Sequence, residues 1–83
     1  MPERLRLVVV EWEDIESNSG WHDEKDVSKC KTWKCTSVGW KIPGEKGTIR
    51  IAATRSAENK KVADVTTIPR GCVRKIRRVE KWE

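Results

Sequence analysis

Three sets of side chains in this sequence are of types that do chemistry: thiols with one imidazole, a crowd of carboxylates, and cations interleaved with tryptophan. Cys30-Lys-Thr-Trp-Lys-Cys35 forms a C-x₄-C pair, and His22 and Cys72 would complete a four-ligand zinc set. That spacing lies at the loose end of the two to four residues usual for paired zinc thiolates, and there is no second pair, so inert thiols are the expectation. A catalytic thiolate needs a positioned base, and the only histidine sits in an acidic stretch. Glu11, Glu13, Asp14 and Glu16 crowd the end of one apolar run. General acid and base work needs two carboxyls at a controlled separation in a pocket, so these read as a solvated strand end. Gly44 and Gly47 are followed by neither a Lys-Ser/Thr pair nor a helical pattern, which removes a phosphate loop.

The cations carry the remaining chemistry. Arg70, Arg74, Lys75, Arg77 and Arg78, with Lys81, face one acid in residues 70–81, for a net +5. Residues 11–26 hold seven acids against Lys25, for a net −6. Guanidinium forks match phosphate oxygens, and an exposed indole offers a face on which a base stacks. Trp21 and Trp33, the latter among Lys29, Lys31 and Lys34, are the aromatic candidates for such a ligand. The alternative is that the basic residues occupy the wet face of a strand, or that the acidic segment docks on the basic one within or between subunits.

These residues must be positioned by a small scaffold. With 83 residues the chain supports one domain, and a core of that size gains from a partner subunit; three cysteines cannot all pair within the chain. The aromatic content is five Trp with neither Phe nor Tyr, suited to a β core whose indole N–H groups find partners at its rim. No apolar run approaches a bilayer span. Met1-Pro2-Glu3-Arg4 starts no signal sequence, so a reducing, intracellular setting is expected.

Leu5 to Trp12 alternates apolar residues on both faces and predicts a first strand. A long polar loop over about 14–34 follows, in which Trp21 is expected to pack down and Trp33 to lie. Thr36–Ile42 and Thr48–Arg55 alternate around Pro43-Gly44-Glu45-Lys46-Gly47, which predicts a hairpin. Val62–Ile68 makes a fourth strand, ended by Pro69 and Gly71. Val73, Ile76 and Val79 recur every three residues, which fits a helical or 3₁₀ turn leading into a short fifth strand or else a short amphipathic helix; the first is favoured because isolated helices of about ten residues are marginal. Trp12 and Trp40 are the core candidates. The fold class expected is therefore mainly β, a small five-stranded barrel.

Trp12, Gly20-Trp21, Ser37-Val38-Gly39-Trp40 and Ile68-Pro69-Arg70-Gly71-Cys72-Val73 together resemble a group of small proteins encoded by tailed phages and prophages. The likeness covers most of the chain and implies an Sm-like or SH3-like barrel acting in the cytoplasm of an infected bacterium. It also implies two functional routes: an oligomeric sponge that sequesters a nucleotide signal of bacterial defence, or an Sm-like binder of RNA or single-stranded DNA. A protein-interaction barrel, inhibiting a host enzyme or serving in the virion, is the third reading. The expectation is a non-enzymatic homo-oligomer without cofactor, metal or membrane partner, binding a nucleotide or nucleic acid through Arg70, Arg74, Lys75, Arg77, Arg78, Trp21 and Trp33.

Overall fold

The computed structural model describes residues 5–80. Lys81 and the Met1–Arg4 segment, both used above, lie outside the described residues.

The chain forms five antiparallel strands in one sheet: β1 (Arg6–Asp14), β2 (Trp33–Ile42), β3 (Thr48–Arg55), β4 (Val62–Pro69) and β5 (Val73–Arg78), in the order β4-β3-β2-β1-β5. A one-turn helix, α1 (Glu24–Val27), lies between β1 and β2, and a 3₁₀ turn over Arg70–Cys72 leads into β5; a turn before the last strand is present, but it precedes the threefold-spaced residues, of which Val73 and Ile76 lie in β5 itself. β3 has the predicted bounds, and β4 runs one residue further, through Pro69. Pro69 closes the strand because it has no N–H to give to a ladder.

β1 is the central strand of the core. It pairs with β2 on one side and β5 on the other, so Val8, Val9 and Val10 are all buried. Val8 and Val10 pack with Ile49 and Ile51 of β3 and Ile68 of β4, with Trp12, Cys72, Val73 and Ile76 partly buried against them. β2 lies between β1 and β3 in the sheet, so these contacts form only if the sheet curls over its inner face. Each buried Val or Ile contributes roughly 1.5–3 kcal/mol. The curl does not become a closed ladder: β4 and β5 are the two edges. What stands of the predicted barrel is a curled five-stranded antiparallel sheet.

Two local features hold the curl. The N–H of Arg70 donates to the carbonyl of Gly47 at 2.8 Å, tying the 3₁₀ turn to the β2–β3 loop, where Gly47 takes φ +93°. On the inner face, the indole Nε1 of Trp12 donates to Ser37 Oγ at 3.0 Å, so this half-buried Trp has the partner its polar edge requires. Trp40, also expected in the core, is instead half-buried on the opposite face: its Cα partners are Leu7 and Ala52, which lie on the outer side of β1 and β3.

The long loop departs from expectation in two ways. Trp33 is the first residue of β2 and pairs with Asp14, so both strands extend beyond the core as a two-stranded arm. Every residue from Asp14 to Lys34 is exposed, and Trp21, expected to pack down, is fully so at 102%. The ladder between Glu13–Asp14 and Trp33–Lys34 carries the excursion outward. The result is a molecule of 57 × 24 × 23 Å.

Candidate functional site: the basic edge

The predicted cations fall on the turn before β5 and on β5 itself. β5 is an edge strand, so one side of its backbone lacks a ladder partner. The register distributes the side chains. Lys75 stands opposite Glu11 and Arg77 opposite Val9, on the outer face, whereas Ile76 and Arg78 stand opposite Val10 and Val8, on the core side. Arg70, Arg74, Lys75, Arg77 and Arg78 are all exposed.

They are not equivalent. The β1–β5 register shifts between Glu11 and Trp12, leaving Arg74 as an extra residue on β5. Its Nε donates to Glu13 Oε1 at 2.8 Å and its Nη1 to the Gly71 carbonyl at 2.8 Å. Arg74 is thus occupied by a carboxylate and a backbone oxygen. Lys75 stands opposite Glu11 across the strands but makes no ion pair with it within 4.0 Å. Arg70, Arg77 and Arg78 make no ion pair within 4.0 Å among the described residues. Of the acidic and basic segments, one pair, Glu13 and Arg74, meets within the chain, so Arg74 already has a carboxylate partner.

Glu13 is the hub of this contact. Its carboxylate also accepts from Thr32 Oγ1 at 2.7 Å, joining the base of the arm to β5. The Thr32 hydroxyl and then the Arg74 guanidinium hold its pKa below the ordinary Glu value. A depressed native pKa contributes stability that is present above the unfolded-state pKa and lost as pH falls through the native one. Thr32→Ala is therefore expected to raise the Glu13 pKa in an NMR titration and to move the acid-induced loosening of the arm base to higher pH. An unchanged pKa would remove Thr32 from this role.

A shallow cleft of about 300 Å³ opens beside this contact, lined by Glu11, Trp12, Glu13, Lys34, Cys35 and Arg74 among others. Its two acids balance its two bases, which suits it poorly to an anion. The thiols are dispersed: Cys30 is on the arm in a depression shared with His22 and Asp26, Cys35 is opposite Trp12, and Cys72 packs against the core. No group of three or more metal-ligating side chains occurs among the described residues. No helix there is long and apolar enough to cross a membrane.

The two tryptophans assigned to the ligand are not brought to the cations of β5. Trp33 pairs with Asp14, five strand positions from Val9, the partner of Arg77; at about 3.3 Å per residue that is roughly 17 Å. Trp21 is further out on the arm. Comparison with family models, with curated proteins and with solved structures finds no match to this chain.

Proposed function

We propose that this chain is a non-enzymatic binding module that captures a phosphate-bearing ligand, and that the ligand is an extended single strand of RNA or DNA lying along the β5 edge. The observation that carries the reading is the arrangement of the exposed Arg70, Lys75, Arg77 and Arg78 along an edge strand and the turn before it. A line of cations at an open edge tracks a backbone of many phosphates, whereas a compact nucleotide needs its charges gathered around one point. Trp33, separated from Arg77 by roughly 17 Å along the strands and by two strand spacings across them, is in reach of a base only if the ligand is several nucleotides long. An SH3-like or Sm-like small barrel is the fold we assign to the curled sheet. The strand order, the 3₁₀ turn before β5 and the core shared by β1, β3 and β4 support it.

The test is fluorescence anisotropy of a labelled unstructured oligonucleotide across a salt series. Neutralising about four phosphates of a single strand gives log K against log salt a slope of about −3. Affinity should rise with oligonucleotide length until Trp33 is reached and then level. No binding at low salt would overturn the proposal. Equal affinity for a mononucleotide or dinucleotide, with a shallow salt slope, would replace it with the nucleotide-sponge reading and the phage-defence role attached to that.

A further inference from the structure

The outer face of the sheet carries an apolar strip that the fold covers only in part: Ala52 and Val9 are buried, Leu7 and Trp40 half-buried, and Val38 and Val65 exposed. Leu7, Trp40, Ala52 and Val65 pair in sequence across β1, β2, β3 and β4, forming one cross-strand row, and Val9 and Val38 pair in the next. Val38 is 55% exposed and Val65 47%. Clustered apolar exposure of this kind marks an interaction surface more often than scattered residues do. The strip is bordered by cations: Arg77, opposite Val9, at the β5 side, and Arg50, opposite Ile42, at the β3 side.

The complementary surface is on the same chain. The outgoing limb of the arm, residues 14–26, holds Asp14, Glu16, Asp23, Glu24 and Asp26 against Lys25, a net −4 with His22 neutral. Within it Ile15 is 74% exposed and Trp21 102%, so the two large apolar side chains of this acidic limb touch almost nothing of their own molecule. β1 ends at Asp14, seven strand positions and roughly 23 Å from Leu7, so the limb beyond it begins well away from the strip on its own molecule.

We propose that the acidic limb docks on the outer face of a second copy of this chain, with Trp21 and Ile15 covering the Val38–Trp40–Val65 strip and the limb's carboxylates meeting Arg77 and Arg50. A reciprocal exchange satisfies both arms and both faces at once, giving a closed twofold dimer with no unsatisfied surface left to extend it. Each Trp buries on the order of 150–250 Å² in such a contact. The inference rests on the limb and the outer face, not on the proposed function; Arg77 is shared with the β5 edge, so the test is made without nucleic acid.

Sedimentation equilibrium of the full chain, without nucleic acid, tests it. The wild-type chain is expected to be a dimer whose dissociation constant rises with salt, and Trp21→Ala is expected to raise that constant at least tenfold. Two further sets make the contact specific. Asp23→Lys with Glu24→Lys and Asp26→Lys makes the limb basic; Val38→Glu with Arg77→Glu makes the face acidic. Each set alone should give monomers, and an equimolar mixture should give heterodimers, because each variant then offers the other a complementary limb and face. A wild-type monomer throughout the micromolar range would overturn the proposal. So would an oligomer that Trp21→Ala leaves unchanged, or charge sets whose mixture stays monomeric. Trp21→Ala lies on the exposed arm, so circular dichroism should show the sheet unaltered and a loss of dimer cannot be ascribed to unfolding.

Discussion

Replacing Arg70, Arg77 and Arg78 together with Glu should lower affinity for a single-stranded oligonucleotide by at least about a hundredfold at low salt, on the order of 3 kcal/mol, while leaving thermal unfolding nearly unchanged. The reasoning is electrostatic. These three guanidiniums are exposed and make no ion pair among the described residues, so reversing them removes no contact that holds the sheet. Each cation lost from a phosphate track also removes roughly one unit from the salt dependence, and each reversal adds repulsion. The expected companion result is a salt slope near zero. Arg74→Glu provides the internal contrast. Arg74 already binds Glu13 and the Gly71 carbonyl, so its reversal should act mainly on the β1–β5 contact, seen as a lower unfolding temperature, and little on oligonucleotide affinity. Should Arg74→Glu prove the more damaging to binding, the edge assignment fails. Anisotropy titration and circular dichroism on the same samples decide it.

Gly39→Val should be the most destabilising single change in the sheet, costing about 3 kcal/mol or more. A Cβ at residue 39 would sit 2.7 Å from the Ala52 carbonyl oxygen, 3.1 Å from its carbon and 3.3 Å from its nitrogen. All three atoms are backbone, so no side chain can rotate out of the way and β3 itself must move. Ala52 is fully buried, and the β2–β3 ladder spans only Trp40–Ala52, Lys41–Ile51 and Ile42–Arg50, so displacement there threatens the placement of Ile51 and Ile49 in the core. Gly39 thus marks the bend at which β2 leaves β3 and continues toward the arm paired with β1 alone, a use of glycine typical of close backbone approach. For a domain of this size each kcal/mol lowers the melting temperature by roughly 4–8 °C. Gly71→Ala is the control: nothing lies within 4 Å of its Cβ and no positive φ is needed, so its melting curve should overlay that of the wild type. Equal melting temperatures for Gly39→Val and the wild type would show that the two strands do not cross so closely in solution.

What the sequence made legible followed from periodicity. The β2–β3 hairpin was visible because alternating residues flank a loop with two glycines, and the end of β4 because Pro69 and Gly71 interrupt a β-branched run; the turn that follows was expected at the threefold spacing of Val73 and Ile76 but lies just before it, at Arg70–Cys72. The start of β2 was hidden for a physical reason. Lys31-Thr-Trp-Lys-Cys35 looks polar, yet Trp33, Cys35 and Ser37 alternate with Lys34, Thr36 and Val38. That alternation is strand-like once charge is set aside, and it is the signal that could have found the arm. Trp21 misled because an indole in a loop is usually taken to be packed; nothing local distinguishes one that packs on its own chain from one that is left outside. The Glu13–Arg74 contact was beyond reach from sequence, since it joins residues 61 apart through a strand pairing and a bulge that local patterns do not encode. The basic edge was therefore recognised as a set of charges, but which member was already taken was not.

The pairing of β1 with β5 has a consequence in time as well as in space. Val10 and Ile76 are partners across 66 positions, and the central strand has its second neighbour only when the last strand is in place. Bringing such distant segments together costs chain entropy before any contact repays it, and mainly non-local sheets fold in milliseconds to seconds rather than microseconds. On the ribosome, β1 to β4 would emerge first with the β5 side of β1 still open. The hairpin of β2 and β3 can form as soon as it is made, but the core closes only after β5 leaves the exit tunnel. The slowest step in folding this sheet therefore belongs to the meeting of β1 and β5.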